Sequence, residues 1–270
     1  MLPQERLIAR VREVAAGDAR LDALMMYGSF TRGEGDAYSD VEFLLFFEDG
    51  AFDQIEPRAW IEQVAPVLLD YTNEHGIVDV IFEDLVRGEF HFHRVSEMPI
   101  AGSWRGVVTF PSLESVLLLD KSGRFAPFLA PLIGSPLERT TPQTLATVTR
   151  HFANGWLFGW NVLQRGEHAR ALELLNGVHR SLLHMARAVE GTTANWLTPS
   201  KSAEKDLSAG SYERFRACTA PLDRDALRRA YVESWRWGNE LLRDIEGRYG
   251  IALSPVLLAR IDQLTAGPGI

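Results

Sequence analysis

The chain has 270 residues, 46% of them apolar and 24% charged, which is enough for one large or two ordinary domains with cores of their own. Its net charge of −8 and pI near 5.4 argue against a nucleic-acid polymer as partner, because phosphate backbones are held by clustered Lys and Arg. A single cysteine, Cys218, excludes an intramolecular disulfide and a cysteine-based zinc cluster, and it is expected at a half-buried structural position.

At the N-terminus Leu2, Leu7, Ile8, Val11 and Val14 recur at near-helical spacing, predicting an amphipathic helix over residues 2–16. Glu5, Arg6, Arg10 and Arg12 lie within it and no apolar h-region is present, so the segment does not read as a secretory signal. No stretch of the chain approaches the roughly 20 apolar residues of a membrane span, and a cytoplasmic location is expected. Residues 22–27 and 39–47 read as two buried strands, the second ended by Glu48-Asp49-Gly50. Residues 57–69 predict a helix with Trp60, Ile61, Val64, Val67 and Leu68 inward. A third strand is expected over 77–82, a fourth strand or strand extension over 89–93 where Phe and His alternate, and a further edge strand over 104–110.

Between about 120 and 142, Pro127, Pro131, Gly134, Pro136 and Pro142 interrupt any regular pattern, which reads as a linker or crossing segment. Beyond it the chain reads as helical: Thr141-Pro142 open a helix running through Trp156, Trp160 and Leu163, followed by helices over 167–190, 223–247 and 255–265. The organisation expected is a first domain over 1–135 with mixed helices and strands, and a helical bundle over 136–270.

The chemistry concentrates at Gly28-Ser29, followed after ten residues by Asp40-Val41-Glu42 at the mouth of the apolar run Phe43 to Phe47. Side chains alternate along a strand, so Asp40 and Glu42 are expected on one face with Val41 opposite. Two carboxylates roughly 7 Å apart can share hard divalent cations such as Mg²⁺. Acids abutting a buried run need compensation, and cations supply it. Backbone N–H groups at Gly28-Ser29 would receive a phosphate if they open a helix.

Gly-Ser, ten residues, then Asp-x-Glu resembles the signature of the DNA polymerase β-like nucleotidyltransferase superfamily. The longer stretch Met26 to Asp36 with Ser39 to Phe43, together with Arg87-Gly88-Glu89-Phe90-His91-Phe92, resembles the lincosamide nucleotidyltransferases, which are antibiotic-resistance enzymes. The resemblance runs over the whole chain and implies an α+β fold, with an N-terminal polymerase β-like domain on a mixed sheet followed by a C-terminal helical bundle. It also implies transfer of AMP from ATP to a hydroxyl of a lincosamide. In that reading Asp40 and Glu42 hold Mg²⁺, Gly28 and Ser29 position the phosphates, and Glu89 is the general base for the acceptor. Asp79 is the alternative third carboxylate, on superfamily geometry. Lys201, in Thr198-Pro199-Ser200-Lys201, is suited to the triphosphate, and Arg32 is a weaker candidate. The expected partners are the nucleotide and a small-molecule antibiotic, and a homodimer is left open.

Other features have plainer readings. His91 and His93 alternate with Phe90 and Phe92 and are expected to line an acceptor pocket or cover the sheet, since no third zinc ligand lies nearby in sequence. Trp156, Trp160, Trp196, Trp235 and Trp237 are expected to be core residues first and ligand walls second. Two rival functions stand beside the lincosamide reading. An aminoglycoside nucleotidyltransferase would need a carboxylate-rich acceptor pocket for a polycation, and a non-catalytic, antitoxin-like relative would use the fold for binding alone.

Overall fold

A computed structural model describes residues 1–266; residues 267–270, the end of the expected second domain, lie outside the described residues. Two compact units divide the chain, Met1–Leu137 and Glu138–Ile270. The fold is α+β, with a six-stranded mixed sheet in the first unit and helices throughout the second.

The first unit opens with helix α1 (Pro3–Gly17), whose Leu7, Val11 and Ala15 recur every four residues and are buried. Its first turn is closed by Glu5, whose carboxylate accepts the Leu2 N–H at 2.7 Å. Strands β1 (Leu21–Tyr27) and β2 (Val41–Phe47) pair antiparallel and are buried on both faces, which explains their unbroken apolar runs. Short helices α2 (Asp49–Phe52) and α3 (Pro57–Ile61) lead into β3 (Val67–Thr72), β4 (Val78–Phe82) and β5 (Arg87–Arg94). Helix α4 (Leu113–Val116), strand β6 (Leu117–Asp120) and helix α5 (Ala126–Leu129) complete the unit. The strand order is β3-β4-β5-β2-β1-β6, with β2 and β5 parallel and every other pair antiparallel.

Alternation sorts the side chains onto two faces. Leu24, Met26, Phe43, Leu45, Phe47 and Phe90 pack with α1 and with Trp60 and Ile61 of α3. Ala23, Met25, Leu44 and Phe46 pack on the opposite face against Met98, Ala101, Phe110, Phe125 and Leu129.

Two expectations for this unit are corrected and a third is refined. The helix expected over 57–69 ends at Ile61, because Pro66 cannot continue it; residues 67–72 are instead the edge strand β3, with Leu68 61% exposed. The edge strand expected over 104–110 is absent. A 3-10 segment, Val95–Trp104, ends where it was expected to begin, residues 105–109 are turn and irregular chain, only Phe110 makes a bridge, with Ile133, and the outer strand is β6. The proline-rich stretch divides: its end, over 134–141, is irregular chain that holds the boundary between the units, while its first part belongs to the first unit's core. Phe125, Leu129 and Leu132 bury against the sheet, and Pro127 and Pro131 sit in the first turns of short helices, where a missing N–H costs no hydrogen bond.

In the second unit α6 (Pro142–Gln164), α7 (His168–Glu190) and α10 (Arg224–Tyr249) are the long helices; α8 (Ala203–Asp206) and α9 (Ala209–Ala217) lie between α7 and α10, and α11 (Pro255–Ala266) follows α10. Thr141 caps α6 by accepting the Thr144 N–H at 3.2 Å, and Asp223 caps α10 by accepting that of Ala226 at 2.8 Å. The five tryptophans named above are all buried. Trp156 stacks on Trp160 with centroids 5.2 Å apart and donates its indole N–H to the Tyr231 carbonyl at 2.7 Å. Cys218 is fully rather than half buried.

Sequence patterns gave no warning of Arg187, whose guanidinium is completely buried in α7. It donates to the carbonyls of Pro199, Thr192 and Lys201 at 2.8, 2.8 and 2.6 Å and to the Asp206 carboxylate at 2.9 Å. One side chain thereby organises the connection from α7 to α8.

Candidate active site

Strand register assembles the acids. Glu42 on β2 is opposite Glu89 on β5, Glu89 is opposite Asp79 on β4, and Asp79 is opposite Tyr71 on β3. On the other side Glu42 is opposite Tyr27 on β1. Facing residues in a sheet lie about 5 Å apart, so Tyr71, Asp79, Glu89, Glu42 and Tyr27 form one lateral row. The row continues the face that carries Leu44 and Phe46, beside the core under α5.

Adjacent like charges repel, and Arg87 offsets them. It sits two residues before Glu89 on β5 and therefore projects from the same face. Nη1 donates to Asp40 Oδ2 at 2.8 Å, while Nη2 donates to Asp79 Oδ1 at 2.9 Å and to Glu89 Oε1 at 2.5 Å. The Asp79 carboxylate is 5% exposed and also accepts from Asn73 Nδ2 at 2.9 Å. It is a buried member of the row rather than an edge residue. Asp40 stands one residue before β2 begins and is half-buried.

Gly28 and Glu42, ten residues and a turn apart in the motif, touch. A Cβ on Gly28 would lie 1.5 Å from Glu42 Oε2. Gly28 has φ 84° and ψ −155°, a region that glycine alone occupies readily. The chain that follows Gly28 is a single 3-10 turn, Ser29–Arg32, held by the Thr31 hydroxyl donating to the Gly28 carbonyl at 2.7 Å. The turn is too short to carry a developed helix dipole, so the condition for helix-terminus phosphate binding is not met here. Ser29 Oγ is buried and has no hydrogen-bond partner.

The other flank is aromatic. Tyr27 Oη lies 3.2 Å from Glu89 Oε2 and 2.7 Å from His91 Nε2. Burial and the nearby charges of Glu89 and Glu42 raise the Tyr27 phenol far above its usual range, so it keeps its proton. Burial, with His93 adding, pushes His91 down to about 4, leaving it neutral near pH 7. These states define one chain of bonds: His91 Nε2–H donates to Tyr27 Oη, and Tyr27 O–H donates to Glu89. Trp104 meets the Tyr27 ring edge-on at 5.9 Å, and His93 stacks on Phe46 at 5.5 Å. The two histidines are thus built into the aromatic flank of the row.

Of the sequence candidates, Gly28, Ser29, Asp40, Glu42, Asp79 and Glu89 belong to this constellation. Lys201 belongs to the second unit, where it is exposed and its carbonyl is held by Arg187. Arg32 is exposed at the end of the 3-10 turn. Arg87, Tyr27 and Asn73 were not singled out from sequence. The signal for Arg87 was its i, i+2 spacing from Glu89, which puts both on one face.

Among known families, residues 141–264 match the model described as the lincosamide nucleotidyltransferase-like C-terminal domain. The helical half is such a domain. That match is to a nucleotidyltransferase-like family, the kind of family that the resemblance of Met26 to Phe43 implies for the other half of the chain. Among solved structures the chain is similar to an aminoglycoside 6-adenyltransferase from Bacillus subtilis, with 14% identity over 97% of this chain and 95% of that one and a TM-score of 0.45. It is also similar to a nucleotidyltransferase-like protein from Exiguobacterium sibiricum 255-15, with 11% identity over 98% of this chain and 81% of that one and a TM-score of 0.40. No curated protein matches the chain. No helix among the described residues is long and apolar enough to cross a membrane.

Proposed function

We propose that this protein transfers AMP from ATP to a hydroxyl group of a lincosamide antibiotic. The observation that carries the proposal is the lateral row of Glu42, Glu89 and Asp79, with Asp40 joined to it through Arg87 and Gly28 packed under Glu42.

The donor set suits Mg²⁺, a hard cation that takes one or two carboxylates and completes its shell with water and substrate phosphates. Among the described residues no three His, Cys, Asp or Glu side chains form a ready metal cage, so the phosphates would supply the rest of the shell. Asp40 and Glu42 are the residues that would hold it. When bound, Mg²⁺ offsets the charge that develops on the departing pyrophosphate.

The remaining chemistry falls to the chain's own groups. Glu89 accepts the proton of the acceptor hydroxyl. That oxygen bonds to the α-phosphorus as the bond from the α-phosphorus to the bridging oxygen breaks, and pyrophosphate leaves with the electron pair. Tyr27 and His91 fix the Glu89 carboxylate for this task. Ser29 Oγ, which lacks a partner inside the protein, donates to a phosphate oxygen. An acceptor next to Glu89 meets Tyr27, Trp104 and a neutral His91, surroundings that suit a ring with few charges better than a polycation.

The test is mass spectrometry of clindamycin, lincomycin and several aminoglycosides after incubation with protein, ATP and Mg²⁺. AMP added to the lincosamides, lost in Asp40→Asn and reduced roughly 10²–10⁴-fold in Glu89→Gln, is the expected result. Addition only to aminoglycosides would keep the chemistry and overturn the acceptor. No addition to any acceptor with any of the four nucleoside triphosphates would favour a binding protein.

A further inference from the structure

If Asp40 is a metal ligand, as proposed above, the metal and the Arg87 guanidinium on Asp40 Oδ2 are two cations on one carboxylate, and they repel each other. The two ends of Arg87 are anchored unequally. Nη2 is fixed between Glu89 and Asp79, and Asp79 is buried and braced by Asn73. Nη1 reaches Asp40, which is 34% exposed, and the arginine side chain itself is 49% exposed. An ion pair at an exposed end is weak and exchanges readily, whereas one to a buried, hydrogen-bonded carboxylate does not.

We infer that Arg87 is a shared cation of the site. Without nucleotide its Nη1 occupies Asp40. When the metal takes Asp40, Nη2 stays with Glu89 and Asp79 while Nη1 turns to a phosphoryl oxygen of the nucleotide. Three features lead to this assignment. The guanidinium presents several donors in one plane, so it can release one carboxylate without releasing the others. The freed Nη1 keeps donors that need an acceptor, and a triphosphate supplies anionic oxygens with the preferred planar geometry. The exchange also conserves charge at the row: a cation leaves Asp40 only as another arrives, so the neighbouring carboxylates are never left uncompensated. Arg87 thereby acts first as a positioning residue for Glu89 and then as a phosphate ligand.

Binding of Mn²⁺, followed by the paramagnetic resonance of the free ion, tests this on the full chain with and without α,β-methylene-ATP. Without nucleotide, Arg87→Gln is expected to bind Mn²⁺ at least about threefold more tightly than wild type, because the competing cation is gone. With the analogue the order reverses, and the variant holds the Mn²⁺–nucleotide complex roughly tenfold more weakly. Arg87→Lys keeps the charge but lacks the fork, and it should show the second loss without the first gain. If circular dichroism shows Arg87→Gln unfolded, the lysine variant carries the test through that second loss. Unchanged or weaker Mn²⁺ binding in folded Arg87→Gln without nucleotide overturns the exchange, as does undiminished analogue binding by either variant. Wild-type protein that binds no Mn²⁺–nucleotide complex, or Asp40→Asn that binds it normally, would instead count against the proposed function.

Discussion

Glu42 rests its carboxylate where a side chain on Gly28 would begin, 1.5 Å from the position of a Cβ. The two motif halves are therefore one object, since the turn must lack a side chain for the acid to lie over it. Gly28→Ala should cost about 1–3 kcal/mol from the positive φ alone. It should also displace Glu42 and lower the transfer rate roughly 100-fold. Urea unfolding and the AMP-transfer assay measure the two effects. A variant that is destabilised yet fully active would show that the position of Glu42 does not matter.

Tyr27→Phe removes the hydroxyl that joins His91 to Glu89 but leaves the ring against Trp104. The expected result is a kcat about tenfold lower, near 1.4 kcal/mol, with KM for ATP little changed. A rise in KM at constant kcat would place Tyr27 in nucleotide binding instead.

His91 titrates at about 4 in the folded protein, against 6.5 for an unperturbed histidine. Between those values the unfolded chain binds more protons, so the unfolding free energy falls as pH drops from about 6.5 to about 4. His91→Gln keeps a donor for Tyr27 but does not titrate, and its urea midpoint should fall less steeply across that window. His93, His179 and His184 are also lowered by burial, so acid sensitivity should be reduced rather than abolished. Identical pH profiles for variant and wild type would contradict the assignment.

Arg187→Met would strand three carbonyls around a buried apolar chain and leave the Asp206 carboxylate with Asn195 alone of its two side-chain donors. Chemical denaturation should show a loss of about 3–5 kcal/mol. Arg187→Lys should fall in between, because one ammonium cannot span acceptors on both sides of a planar fork. A loss under about 1 kcal/mol in the methionine variant would mean that the connection between α7 and α8 holds without it.

Cys218 gives a built-in reporter of folding. Its thiol is buried, donates to the Arg214 carbonyl at 3.2 Å, and is pushed up to about 12 by burial. At pH 8 the native protein should leave a colorimetric disulfide reagent unreacted, and the unfolded chain should consume one equivalent. Rapid labelling of native protein would reveal local opening around α9.

By itself the sequence determined the long elements and the acid motif, because both are written in local periodicity. The helix through Trp156 and Trp160 repeats its apolar face over many turns, and Asp40 and Glu42 stand out against an apolar strand. Short elements were not legible: Val64, Val67 and Leu68 fit a helical period as well as a strand, and only Pro66 and the sheet edge decide for β3. The buried role of Phe125 and Leu129 was hidden in the same way, since proline at a helix start and proline in a linker look alike in sequence. Tertiary structure alone decided the register of β2, β5 and β4, which brings together Glu42, Glu89 and Asp79 from across the chain. It alone placed Arg87 among them. A one-residue slip in that register would turn the acids into the core, so the hydrophobic faces that lock the register also build the site.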